Sequence, residues 1–276
     1  MSASSEIAER YKQAALYGSQ PQDPIVRVRE LRKSFGRQEV LKGISFDVQR
    51  GKTTVLIGPS GTGKSVLMKS MVGLVKPDSG AVFYGEDDIT RLHDKQLYRV
   101  RKRIGKLFQD GALFDSMTVY DNIAFPLHQH TDKTEEEIRD IVAAKLRLVR
   151  LPGIERKMPG ELSGGMRKRV GLARAIALDP EIIFFDEPNS GLDPVMSAAV
   201  DELIVDTARE LGSTLVVISH DIEGTYRIAD YIGMLFAGYL VAFGDNRSVR
   251  DAAVEHPVLR QFFSRSTDGP IGVLDD

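Results

Sequence analysis

The sequence predicts an α/β fold in which helices wrap a mostly parallel sheet, and three observations predict it. Thr53–Ile57 is a short apolar run that enters the glycine-rich stretch Gly58–Ser65, followed by an amphipathic helix through Val66, Leu67, Met68, Met71 and Val72. Glu181–Phe185 and Thr214–Ser219 are near-continuous apolar runs ending in polar residues, as strands buried on both faces do. Between these strands, over roughly 112–165, the apolar period changes to that of helices, which reads as a helical subdomain inserted into the sheet domain.

The elements follow in chain order. Residues 1–24 form a weakly structured leader; they carry Glu6, Glu9, Arg10 and Lys12 and lack a continuous apolar run, so no signal peptide is expected. Ile25–Leu31 and Val40–Val48 alternate apolar and polar residues, the pattern of half-buried antiparallel strands. In the insertion, Thr134 with Glu137 makes a capping box ahead of Ile138, Ile141, Val142, Leu146 and Val149. Ile232–Phe236 and Tyr239–Phe243 flank Ala237-Gly238 and read as a hairpin; the run is too short to span a membrane. Residues 246–276 form a C-terminal extension with a short helix near Val258–Phe263 and an irregular end at Asp268-Gly269-Pro270.

Composition narrows the chemistry. A formal net charge of −2 over 276 residues gives no basic excess, so no nucleic-acid partner is expected. The absence of cysteine excludes disulfides and thiolate metal sites.

Gly58-Pro59-Ser60-Gly61-Thr62-Gly63-Lys64-Ser65 fits the phosphate-loop pattern, and its place between strand and helix is the context that pattern requires. Its amides would cradle a β-phosphate, Lys64 would pair β/γ oxygens, and Ser65 would ligate Mg2+. Asp186, at the end of an apolar strand, suits Mg2+ coordination through water. Glu187 can polarise a water for in-line attack on a γ-phosphate. Paired acids at a strand end are also ordinary solvated loop residues; the phosphate loop in the same chain favours the catalytic reading. Leu162-Ser163-Gly164-Gly165-Met166 is a second glycine-rich helix start, with Ser163 as N-cap and Gly164 and Gly165 leaving the backbone open to an anion. Arg167, Lys168 and Arg169 oppose that helix's dipole by some tenths of a kcal/mol; a nearby triphosphate could offset that cost, and a solvated basic face is the plainer account of any single one of them.

The phosphate loop, Gln109, Leu162–Met166, Asp186-Glu187, Ser190-Gly191-Leu192-Asp193 and His220 occur in the order of ATP-binding-cassette (ABC) ATPases, which the chain resembles over roughly 25–245. The resemblance implies a RecA-like P-loop NTPase core with an antiparallel β subdomain and an inserted helical subdomain. It implies that Phe35 stacks on adenine, that Gln109 senses Mg2+, that Asp193 contacts the opposing site and that His220 contacts the γ-phosphate. By their chemistry alone, Phe35 is as well a core residue and His220 a capped strand end. In this family the Leu162–Met166 helix of one chain closes over ATP held by the phosphate loop of another, which implies a homodimer with ATP and Mg2+ as cofactors.

Leu97–Arg103, Leu107–Phe114, Val119–Leu127, Met166, and Arg260-Gln261-Phe262 with the later Asp268-Gly269-Pro270 resemble the Mla/Mce type of intermembrane phospholipid transport ATPase of Gram-negative bacteria. That resemblance implies a peripheral subunit on the cytoplasmic face of the inner membrane, bound to a permease. A periplasmic Mce-type lipid-binding protein and a small cytoplasmic STAS-domain protein are the further partners it implies. Asn189, where Thr is common, and Val66, where Thr often follows the phosphate-loop Ser, depart from the family pattern. An ABC importer or exporter ATPase for another small molecule, and a regulatory ABC ATPase without a transport role, remain alternative readings.

Overall fold

The computed structural model describes residues 15–108 and 111–272. It divides into two compact units, one of residues up to Leu97 together with those from Ile218 onward, the other of Tyr98–Val217.

In the first unit, β2 (Pro24–Phe35), β3 (Gln38–Gln49), β5 (Ser79–Tyr84) and β6 (Asp87–Asp88) form an antiparallel sheet in the order β3-β2-β5-β6. The alternation that predicts these strands is seen in their burial, with Val26, Val28, Leu31, Ile44, Phe46 and Val48 all inside. A second set runs β1 (Ala15–Tyr17), β11 (Tyr239–Asp245), β10 (Tyr231–Phe236), β4 (Thr53–Ile57). Every residue of β4 is buried, Thr53 and Thr54 with Val55, Leu56 and Ile57, and it pairs in parallel with β10. The β10–β11 hairpin turns on Ala237 (φ 48°) and Gly238 (φ 87°), two positive values that match strand twist in a two-residue connection. Helices α1 (Lys64–Met71), α7 (Ile222–Ile228), α8 (Asn246–Ala252) and α9 (Pro257–Ser264) complete the unit, while α2 (Asp94–Arg101) spans the sequence boundary.

Two features of this unit correct the sequence expectations. Part of the leader is ordered: β1 lies parallel to β11 in the register Ala15↔Ala242 to Tyr17↔Gly244. Gly244 permits the approach, since a Cβ there would sit 2.0 Å from the Tyr17 carbonyl oxygen. The C-terminal extension also begins with an unexpected helix, α8, whose N-cap Asp245 accepts from the amides of Ser248 and of leader residue Ser19. The irregular end is held by Gln261, whose side chain exchanges hydrogen bonds with the backbone of Ile271 at 2.6 and 2.9 Å.

In the second unit β9 (Thr214–Ile218, its last residue counted with the first unit), β8 (Ile182–Asp186) and β7 (Ile104–Leu107) lie side by side in that order, β7 and β8 parallel. Around them are α3 (Val119–His130), α4 (Glu135–Leu148), α5 (Gly164–Ala175) and α6 (Pro194–Leu211). Both helices within 112–165 start with capping boxes, Thr118 with Asp121 and Thr134 with Glu137. Among the described residues no helix is long and apolar enough to cross a membrane.

Replacing Thr134 by Ala removes the cap of α4 and is expected to lower stability by about 1 kcal/mol in urea unfolding. The Thr134 amide and hydroxyl hold the Glu137 carboxyl below its ordinary range. A depressed carboxyl stabilises above its unfolded pKa and loses that contribution as pH falls through the folded value. The gap between wild type and Thr134→Ala should therefore narrow in acid; a gap independent of pH would contradict the reciprocal cap.

Candidate active site

The first unit carries the phosphate loop between β4 and α1. Gly58 (φ 143°) brings its Cα so close to the Leu235 carbonyl that an added Cβ would lie 2.1 Å from that oxygen. Gly63 (φ 98°) is the N-cap of α1 and, as a glycine, has no side chain to cap it. Lys64 is only 7% exposed, and its ammonium donates to the carbonyls of Gly58 and Pro59, each at 2.7 Å. Thr62 Oγ1 donates to the same Pro59 carbonyl at 2.9 Å. Gly61, Ser60 and Ser65 lie exposed on the loop.

Phe35, at the end of β2, is 50% exposed, so the core reading does not hold for it. Lys33 Nζ stands 5.4 Å from its ring centroid. His220 is exposed in the turn between β9 and α7. The preceding residue, Ser219, donates its amide to the Leu56 carbonyl at 3.2 Å, which fixes the turn beside the strand that feeds the phosphate loop.

The second unit carries the carboxylates and the other helix start. β8 delivers Asp186 and Glu187, both half-buried. Glu187 has φ 51°, a left-handed conformation that costs a non-glycine residue about 1–2 kcal/mol and persists only where surroundings hold it. The Ser190 amide closes a turn onto the Glu187 carbonyl at 3.1 Å. Asp193 caps α6 by accepting from the amides of Val195 and Met196, both at 3.0 Å. Ser163 is the N-cap of α5 and accepts from the Met166 amide at 3.3 Å. Ser163 and Gly164 are exposed, whereas Gly165 is buried with Met196 Cε 3.3 Å from where a Cβ would stand. Gln109 lies outside the described residues.

The three basic residues after Met166 do not form a uniform solvated face. Arg167 is exposed and donates to the Leu162 carbonyl at 3.2 Å. Arg169 is half-buried, and burial pushes its guanidinium pKa down. Lys168 is 6% exposed and donates to the carbonyls of Pro188, at 2.8 Å, and Ser190, at 2.5 Å. Asn189 donates from Nδ2 to Asp201 Oδ1 at 2.7 Å, and Asp201 is 1% exposed. Sequence reasoning missed this group, although a carboxylate among the apolar positions Val200, Leu203 and Ile204 of a helix is a legible signal.

The first unit offers cationic and amide donors suited to a polyphosphate, and the second offers two carboxylates, Glu187 on a left-handed backbone. Ser65 in the first unit carries a hydroxyl and Asp186 in the second a carboxylate, each a hard oxygen of the kind Mg2+ takes.

Comparison with known proteins agrees with this chemistry. The family model for ABC transporters matches residues 41–190. The chain is 47% identical over 259 residues to the probable ribonucleotide transport ATP-binding protein mkl of Mycobacterium leprae, covering 94% of this chain and 74% of that one. It is 40% identical over 247 residues to the intermembrane phospholipid transport system ATP-binding protein MlaF of Escherichia coli K12, covering 90% of this chain and 91% of that one. Among solved structures, the dimeric post-hydrolysis state of the ATP-binding cassette MJ0796, bound to ADP and Pi, superposes with a TM-score of 0.74 at 29% identity, over 80% of this chain and 99% of that one.

Gly58→Ala should cost about 2 kcal/mol or more of stability, because the methyl meets a carbonyl that β10 holds in place. Urea unfolding tests this, and an unchanged midpoint would mean the loop is not seated as described.

Proposed function

The chain belongs to the ABC transporter family as an ATP-binding subunit that binds and hydrolyses ATP, and on that premise we propose that it powers phospholipid transport between the inner and outer membranes of a bacterium. The observation that carries the phospholipid reading is the match to MlaF, which runs through nearly the whole of both chains.

Each residue has a role that follows from its chemistry. The amides of Gly58–Ser65, with Pro59, Ser60, Gly61, Thr62 and Gly63 shaping the loop, hold the β-phosphate. Lys64 exchanges its carbonyl contacts for phosphate oxygens as charge develops there. Phe35 stacks on the adenine. Glu187 accepts the proton of the attacking water, so that ATP and water yield ADP and phosphate. His220 hydrogen-bonds the γ-phosphate and orients it. Ser65, Asp186 and Gln109 would hold Mg2+, which when bound neutralises phosphate charge. Ser163, Gly164 and Gly165 act on ATP bound to a second copy, Asp193 contacts the opposing site, and the working unit is a homodimer.

Cassettes of this family work as dimers with membrane components. For this chain the proposed components are inner-membrane permease subunits, a periplasmic Mce-type lipid-binding protein and a small cytoplasmic STAS-domain protein, with the ATPase peripheral on the cytoplasmic face. A ribonucleotide cargo is the second reading, favoured by the higher identity to mycobacterial mkl.

Two measurements test these roles. Glu187→Gln should retain ATP binding, lose about 100-fold or more in turnover and trap the closed dimer; near-normal turnover would remove Glu187 from its role. Lys64→Ala should lose nucleotide affinity or turnover by about tenfold or more, and unchanged activity would contradict the phosphate loop. Cargo is read from the complex purified in mild detergent. Phospholipid bound to a co-purifying permease and lipid-binding protein supports the first reading. ATPase activity stimulated by ribonucleotide, with no lipid carried, supports the second.

A further inference from the structure

We infer that Lys168 is a positioning residue for hydrolysis: from the first turns of α5 its ammonium clamps the carbonyls of Pro188 and Ser190, one and three residues after Glu187, and so ties the backbone of that carboxylate to the Ser163–Met166 helix start. The inference rests on the ATPase reading above and deepens it.

A lysine ammonium that leaves water must be surrounded by oxygen, and Lys168 finds that oxygen away from its own helix. Its two acceptors, the carbonyls of Pro188 and Ser190, bracket the peptide units directly after the left-handed Glu187. Other holds on this loop come from elsewhere. The Asn189 amide is anchored to buried Asp201 on α6, the Leu192 amide bonds to the Asn189 carbonyl at 3.1 Å, and Asp193 caps α6. Lys168 is a hold that reaches α5, the helix whose start presents Ser163 and Gly164 at the surface. Its flanking residues face other surroundings: Arg167 turns to the Leu162 carbonyl and Arg169 to that of Arg150. A displacement of α5 on engaging nucleotide is thus passed through one buried ammonium to the backbone that sets Glu187. The clamp acts on the hydrolytic step and leaves nucleotide affinity, which belongs to the phosphate loop, unchanged.

The test uses the full chain in its permease complex and compares Lys168→Met with Lys168→Gln, whose amide still offers two N–H donors. For Lys168→Met, kcat should fall about tenfold or more while KM and the affinity for a fluorescent ATP analogue stay within about twofold. Lys168→Gln should recover at least about a third of the lost activity. The inference is overturned if Lys168→Met keeps wild-type kcat, if affinity and kcat fall together, or if Lys168→Gln is as slow as the methionine variant. Should Lys168→Met fail to fold by circular dichroism, Lys168→Gln alone carries the test; it should lower kcat at constant KM, and a wild-type kcat or an equal loss of affinity overturns the inference. A wild-type complex without ATPase activity would overturn the hydrolysis reading and this inference with it, whereas an active wild type matched by Lys168→Met overturns the inference alone.

Discussion

Burying an ammonium group is costly unless oxygen surrounds it, and among the described residues three lysines are less than a tenth exposed: Lys145, ion-paired with Asp179, and one beside a loop in each unit, Lys64 and Lys168. The last two find backbone carbonyls on a loop that leaves a buried strand: Gly58 and Pro59 after β4, Pro188 and Ser190 after β8. Turning carbonyls inward twists the neighbouring backbone. Gly58 at φ 143° and Glu187 at φ 51° are where that twist is absorbed, the first without a Cβ and the second under strain. The lysines therefore bring positive charge to the loops and also set their shape. Each loop keeps a defined form because the charge cannot leave it without returning to water.

The rest of the fold serves that requirement. Strands β4 and β8 are buried along almost their whole length, so packing decides where their last residues emerge. The helices that follow these loops are started differently. No side chain among the described residues caps α1, whereas Asp193 caps α6 with its own carboxylate. The same contrast separates the two glycine-rich motifs, since Ser163 spends its hydroxyl on the Met166 amide while Gly164 stays open.

Much of this was legible in the sequence, for reasons that differ by element. The buried strand β4, the β10–β11 hairpin and the Thr134 capping box are local patterns, and local patterns survive folding. Strand β1 was not legible because three residues, Ala15 to Tyr17, are too few to show a period, and their pairing depends on Gly244 far along the chain. Helix α8 follows an ordinary Asp cap but has few apolar positions, with Val249 its one buried residue. The burial of Lys168 is not legible in the sequence, because its partners Pro188 and Ser190 lie on a loop distant along the chain and no periodicity reports them. Asn189 stood out as a departure from Thr, and its bond to Asp201 supplies a physical reason for an amide there.

In the proposed dimer the two glycine-rich helix starts act on one nucleotide, each supplied by a different copy of the chain. Mixing two inactive variants tests it directly. Lys64→Ala disables the phosphate loop. Gly164→Asp places a carboxylate at an exposed helix start, where nothing lies within 4 Å of the added Cβ, so the fold tolerates it. A mixed dimer keeps one complete site, made from the phosphate loop of the second variant and the helix start of the first. Equal amounts pairing at random should recover about a quarter of wild-type ATPase activity. A mixture no more active than either variant alone would contradict the shared site.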